Sequence, residues 1–101
     1  MAILVTGTID IDPARRDGFI AACQTLMDAT HQEAGCEHYS FAADLADPGR
    51  FHIYERWSSE PEMDAHTASA HLAAFMGSVG EFGPRGASLT KWEGATDSKL
   101  M

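Results

Sequence analysis

Apolar residues recur along the chain in two rhythms, every second position or every third to fourth, and the switches between them mark out six elements. Ile3 to Asp10 sets Ile3, Val5, Gly7 and Ile9 against Leu4, Thr6, Thr8 and Asp10, the period of a strand with two partly covered faces. Asp12 before Pro13 reads as a helix start: an acceptor for free N–H groups, then a residue whose missing N–H is not needed there. The stripe Phe19, Cys23, Leu26, Met27 and Thr30 carries that helix to about Ala34, where Gly35 offers a left-handed stop. Gln24, Asp28 and His31 mark its wet side, and Gly18 weakens its first turn by about 1 kcal/mol relative to alanine.

Cys36 to Leu45 and Phe51 to Ser58 read as two strands joined at Asp47-Pro48-Gly49-Arg50, with proline and glycine at the central positions of a type II turn. Closing the hairpin at Asp47 and Arg50 sets Leu45 opposite His52, Ala42 opposite Glu55 and Ser40 opposite Trp57. His38, Ser40, Ile53, Glu55 and Trp57 then share one face, and Tyr39, Phe41, Tyr54 and Arg56 the other. Ser59 and Glu62 form a capping box that opens a second helix with Met63, His66 and Thr67 turned inward. The later stripe Leu72, Phe75, Met76, Val79 is out of phase with it, so the helix must break near Ser69, which caps a new one with His71 in its first turn. After a glycine-rich connection comes a last strand, Ala87 to Glu93. Residues 1–94 therefore read as a single domain and 95–101 as a frayed tail. The order β-α-β-β-α-β is the split βαβ pattern of a ferredoxin-like sandwich in the α+β class. Tyr39, Phe41 and Tyr54 on one sheet face are too much aromatic area to leave in water, which predicts packing against the sheet of a second subunit.

A length of 101 residues leaves no room for a second core, and 45% hydrophobic with 22% charged residues is globular composition. The net charge of −8, with Arg15 and Arg16 the only adjacent basic pair, excludes a nucleic-acid or anionic-membrane partner. No apolar run exceeds five residues, so neither a signal peptide nor a membrane span is expected and the location is read as cytoplasmic. Cys23 and Cys36 lack a CxxC spacing and read as free thiols.

Glu33-Ala34-Gly35-Cys36, Tyr39, Asp47-Pro48-Gly49-Arg50-Phe51, Tyr54-Glu55-Arg56-Trp57, Asp64-Ala65-His66 and Ser69-Ala70-His71, in this order and spacing, resemble the antibiotic biosynthesis monooxygenase family over nearly the whole chain. The resemblance implies a dimeric α+β barrel with a small-molecule pocket between sheet and helices in each subunit. It also implies oxidation of phenolic or quinol substrates by O2 with neither metal nor flavin, although relatives include isomerases. Haem-degrading relatives use an Asn, Trp and His combination, and this chain contains no Asn.

Cofactor-free oxygenation requires a base that ionises the substrate, an apolar space that excludes water and a donor for the oxygen-derived anion. Histidine, with an ordinary pKa near 6.5, is the natural base. His66 is the first candidate, oriented by a hydrogen bond to Glu55; a buried structural histidine satisfied by Glu55 or a carbonyl is an equal reading. His71 is a second-rank donor or acceptor. Trp57, His38 and Ser40 on the same sheet face, Met63, Leu72, Phe75 and Met76 on the helices, and Phe82 and Arg85 in a lid-like connection are candidate substrate contacts, each with a plain packing or surface reading beside it. His66 and His71 lack the i, i+4 spacing of a zinc helix, and no cysteine or carboxylate cluster accompanies them, so no metal is expected. The leading expectation is a homodimeric monooxygenase that takes a small aromatic substrate and O2 and needs no cofactor. A proton-transferring isomerase and a non-catalytic ligand-binding dimer are the alternatives.

Overall fold

The computed structural model describes residues 2–101. Chain order is β1 (Ala2–Asp10), a 3-10 turn (Pro13–Arg15) running into α1 (Arg16–Thr30), β2 (Cys36–Ala43), β3 (Arg50–Trp57), α2 (Glu60–Thr67), α3 (Ala70–Ser78), a second 3-10 turn (Val79–Phe82) and β4 (Gly86–Ala95). The strands form one antiparallel sheet in the order β2-β3-β1-β4. This is the ferredoxin-like α+β arrangement, with the helices on one sheet face. No helix among the described residues is long and apolar enough to cross a membrane.

Local chemistry sets most boundaries. The Asp12 carboxylate accepts the Ala14 N–H at 3.0 Å. Ser69 accepts the Leu72 N–H at 3.3 Å and starts α3, so the out-of-phase stripes are resolved by a break where they require it. Ser59 stands at the start of α2 as expected, but its hydroxyl donates to Glu62 Oε1 at 2.8 Å instead of capping a backbone N–H. α1 ends at Thr30, earlier than the stripe suggests. The following residues fold into tight turns, with Glu33 N–H donating to Thr30 O (2.9 Å) and Cys36 N–H to Glu33 O (3.3 Å). Gly35, at φ +78°, then reverses the chain into β2. Its α-hydrogens face the Glu62 side chain so closely that a Cβ would not fit.

The inner sheet face and the helices enclose one core. Phe19 is fully buried at its centre, with ring centroids 4.9 Å from Phe51, 5.6 Å from Phe82, 6.0 Å from Phe75 and 6.3 Å from Phe41. Each such ring removed from water contributes about 1.5–3 kcal/mol. Cys23 and Cys36 are both free, and burial pushes the Cys23 thiol up to about 12, which leaves it inert at neutral pH.

The hairpin differs from the sequence expectation in a way that decides the site. Arg50 N–H does close on Asp47 O at 3.2 Å, but the strands do not begin there. Asp44 bends the chain first: its carboxylate accepts Ala46 N–H (3.0 Å) and Asp47 N–H (2.9 Å), and Asp44 N–H donates to Arg50 O (3.0 Å). The ladder therefore pairs Phe41 with Ile53, Ser40 with Tyr54 and Tyr39 with Glu55. This is an odd displacement, and an odd displacement exchanges the faces of a strand. Tyr39 and Phe41 join Ile53, Glu55 and Trp57 beneath the helices. His38 and Ser40 move to the outer face beside Tyr54, where His38 Nε2 meets Ser40 Oγ at 3.0 Å and the His38 and Tyr54 rings lie 4.8 Å apart. The outer face thus holds Tyr54 but neither Tyr39 nor Phe41.

Candidate active site

β1, β3 and β4 form the floor of an apolar pocket of about 330 Å³, and α2 and α3 form its wall. Met63, His66 and Thr67 reach it from α2, and Leu72, Phe75 and Met76 from α3. Tyr39, Phe41 and Glu55 reach it from the sheet, and Leu89 and Lys91 from β4. A pocket of this size suits one or two fused aromatic rings.

His66 is 3% exposed, and its ring is held on three sides. Trp57 stacks on it at 4.9 Å between centroids and 30° between planes, and Tyr39 presses edge-on at 5.0 Å. Its Nδ1 lies 2.6 Å from Glu33 Oε2, and the same oxygen lies 2.8 Å from His71 Nε2. An ionised carboxylate only accepts, so both ring nitrogens donate to it. That fixes the neutral His66 ring as the Nδ1–H tautomer and leaves Nε2 with its lone pair free. Among the described residues, Thr30 Oγ1 is the one fully buried side-chain polar atom without a partner, so Nε2, which has no protein partner either, keeps accessible surface on a ring that lines the pocket.

The expected Glu55–His66 hydrogen bond is not formed. Glu55 instead accepts Trp57 Nε1–H at 3.0 Å, because residues two apart on one strand face meet directly. Burial holds the Glu55 carboxyl above the ordinary range, against the opposing pull of the Trp57 hydrogen bond and the His66 charge. Burial also drives the Tyr39 phenol up, so it keeps its proton. Lys91, at the pocket edge, is paired with Glu60 (2.7 Å) and Glu93 (3.0 Å).

The structure brings together His66, Glu55, Met63, Leu72, Phe75 and Met76 around the pocket. Others among the expected contacts lie elsewhere. Trp57 is fully buried beneath His66, its face already occupied. His71 reaches Glu33 and lines a neighbouring cleft rather than the pocket. His38 and Ser40 sit on the outer sheet face, for the register reason above. Phe82 packs on Phe19 in the core, and Arg85 is solvent-exposed, 3.6 Å from Asp12, so the connection that carries them does not lie over the pocket. No carboxylate cluster is expected beside His66 and His71 from the sequence, and a single carboxylate stands there: donor atoms of Glu33, His66 and His71 all lie within 4.8 Å of one another. Glu33, Tyr39 and Phe41, with Leu89 and Lys91 on β4, are among the site residues that sequence reasoning missed. The two aromatics were one register choice away, whereas no local pattern announces that Glu33 meets histidines 33 and 38 positions downstream.

Comparison with known proteins adds the family. Residues 2–78 match the model of the family described as antibiotic biosynthesis monooxygenase. An uncharacterized protein of Synechocystis is 31% identical over 74 residues, 73% of this chain, and the chain spans about half, 50%, of that relative's length. A Mycobacterium tuberculosis protein provisionally named a monooxygenase is 30% identical over 78 residues, covering 77% of this chain and 76% of the relative. Among solved structures, a Deinococcus radiodurans protein provisionally described as an antibiotic biosynthesis monooxygenase superposes with a TM-score of 0.90, at 23% identity and 98% coverage of both chains. The structure of the Mycobacterium tuberculosis protein superposes at 0.84, with 24% identity and coverage of 98% of this chain and 100% of that one. The matched residues include every element that builds the triad and the helical wall of the pocket, and the chain belongs to the antibiotic biosynthesis monooxygenase family.

Proposed function

We propose that this protein is a cofactor-independent monooxygenase that oxidises a small, electron-rich quinol or phenol with O2. The observation that carries the reading is His66: an imidazole held on one side by a carboxylate, with its other nitrogen free, in the wall of an apolar pocket sized for such a ring. Nε2 takes a proton from the substrate, and Glu33 stabilises the imidazolium that forms. The resulting anion is electron-rich enough to reduce O2. Recombination at the same substrate carbon forms a C–O bond, and cleavage of the O–O bond then leaves one oxygen on carbon as a carbonyl. The other departs as water, with protons that His66 and the substrate carbon supply. The substrate loses two hydrogens, the one that His66 takes and the one on the oxidised carbon, and gains one oxygen, which balances one O2 against one H2O. The apolar walls exclude water from the intermediate, while the Tyr39 phenol, which keeps its proton, lines the pocket and can donate to the oxygen-derived anion.

A homodimer belongs to the same reading. Trp92 on β4 is 54% exposed in the single chain, and the outer face presents Leu4 and Tyr54 beside it, a surface that a second sheet would cover.

The test is oxygen-electrode turnover of anthrone-like and naphthoquinol-like compounds, with light scattering for the oligomer. Uptake should be one O2 per product, cease under nitrogen, and fall by about 10²–10⁴ in His66→Ala. Turnover that persists under nitrogen would replace this reading with proton-transfer isomerisation.

A further inference from the structure

We infer that Glu33, His66 and His71 form a binding site for a divalent transition-metal ion of the zinc or cobalt type. Three observations carry this. First, the donor set is two imidazoles and one carboxylate from three separate elements, the turn after α1, α2 and α3, converging on one point with all donor atoms within 4.8 Å. Two histidines and a glutamate suit zinc with a coordination position left open, and nitrogen donors select against magnesium and calcium. Second, the atoms aimed at each other are the ligating ones: His66 Nδ1, His71 Nε2 and Glu33 Oε2. Metal–ligand bonds of about 2.0–2.1 Å ask for donor separations of about 3.3 Å in a tetrahedral site. The present 2.6 and 2.8 Å contacts must open by a fraction of an ångström and the two ring nitrogens, now within 4.8 Å of each other, must settle at that spacing, which the part-exposed side chain of His71 allows. Third, there is a way in. His71 lines a separate cleft of about 230 Å³ with Ala22, Thr25, Ala74 and Ser78, so an ion meets one of the three donors without crossing the substrate pocket.

The His66 ring is also braced as a ligand should be, stacked on Trp57 and bounded by Tyr39. Occupancy has a chemical consequence, which rests on the oxygenase reading above. When Nδ1 binds the ion, the neutral ring carries its proton on Nε2, and the nitrogen available as a base becomes a donor. His71 changes tautomer in the opposite sense, from Nε2–H to Nδ1–H, and no net proton is lost from either ring. The ion is therefore an inhibitor of proton abstraction at His66, competing with the hydrogen-bonded form of the triad.

The experiment titrates the purified full chain with CoCl2, follows the visible d–d bands, and then competes with ZnCl2; MgCl2 is the negative control. Variants are Glu33→Gln, His71→Gln and the outer-face double variant His38→Gln/His52→Gln, each checked for fold by circular dichroism. The expected result is one Co²⁺ per chain, with bands of a low-coordinate nitrogen–oxygen site that Zn²⁺ abolishes and Mg²⁺ does not. Binding should weaken in Glu33→Gln and His71→Gln by more than the roughly 10–100-fold that loss of an outer-shell partner costs, and stay unchanged in the double variant. If Glu33→Gln does not fold, the part-exposed His71→Gln decides. Absence of cobalt bands at millimolar metal, binding equal in all folded variants, or loss only in the outer-face variant overturns the site. The readout needs no turnover: an active oxygenase without cobalt binding defeats this inference alone, and cobalt binding without O2 uptake defeats the functional reading alone.

Discussion

Replacing Glu33 by Gln is the most informative single change, because one carboxylate oxygen serves two imidazoles. The wild-type contacts of 2.6 and 2.8 Å are charge-assisted bonds to a largely buried acceptor. Hydrogen bonds to a charged partner contribute about 1.5–3 kcal/mol each, against about 1 for neutral ones. An amide of the same shape therefore loses about 1–4 kcal/mol over both bonds. For a domain of about 100 residues each kcal/mol is worth about 4–8 °C of Tm, a shift that differential scanning calorimetry resolves. The sharper readout is the tautomer. Long-range ¹H–¹⁵N correlation spectra of the wild-type protein should show neutral His66 with its proton on Nδ1, the minor form of free imidazole, and Glu33→Gln should release the ring from that state. Turnover should drop by about 10²-fold or more, within the range a positioned base contributes. A wild-type His66 protonated on Nε2 instead, or a variant whose stability and ring spectrum match the wild type, would refute the reasoning.

Glu55→Gln should stabilise the protein. The folded-state pKa of Glu55 is raised above 4.5 by burial, so the folded chain retains a proton that the unfolded chain has released. Wild-type stability must then fall as pH rises from about 4.5 through the folded value. The amide keeps an acceptor for Trp57 Nε1 and removes that slope, so urea denaturation across this pH range should show the variant gaining on the wild type as pH rises; equal slopes in both proteins would contradict this. Asp44 titrates in the opposite sense. Hydrogen bonds, first from His52 and then from the backbone at Ala46 and Asp47, lower it to about 2, so its support for the β2–β3 loop is complete above about 4 and lost as pH falls toward 2. Carboxyl ¹³C shifts measure this directly, and a midpoint near 3.8 would show that the loop is open. Gly35→Ala places a Cβ at φ +78° against Glu62 and should cost at least about 1–2 kcal/mol. A denaturation midpoint indistinguishable from wild type would mean the turn that carries Glu33 is not the rigid support described.

Much of the chain could be read locally, because the physics behind it is local. Asp12-Pro13 and Ser69 start helices through hydrogen bonds to groups two or three residues away. The phase conflict between Met63-His66-Thr67 and Leu72-Phe75-Met76 forces a break wherever both stripes face one core, and α2 and α3 meet at it. The order of elements and the inward helical residues follow from such patterns. The hairpin shows where they stop. Asp47-Pro48-Gly49-Arg50 is a true turn, yet Asp44 places another bend before it, and with a period of two every side chain of β2 changes face, taking His38 and Ser40 out of the pocket and bringing Tyr39 and Phe41 in.

The partner of His66 lay further out of reach. Glu55 and Glu33 are both single acidic residues in the sequence, and choosing between them requires knowing that α1 stops at Thr30 and that two turns swing Glu33 under α2 and α3. Glu55 meanwhile is claimed by Trp57 two positions along its own strand. Sequence alone determined which residues form strands and helices and which way the helices face, since those preferences are written in spacings of two to four residues. Only the tertiary structure decided which carboxylate meets which imidazole, because a hydrogen bond is directional and short-ranged. Its partners are selected by the packed geometry of segments more than thirty residues apart.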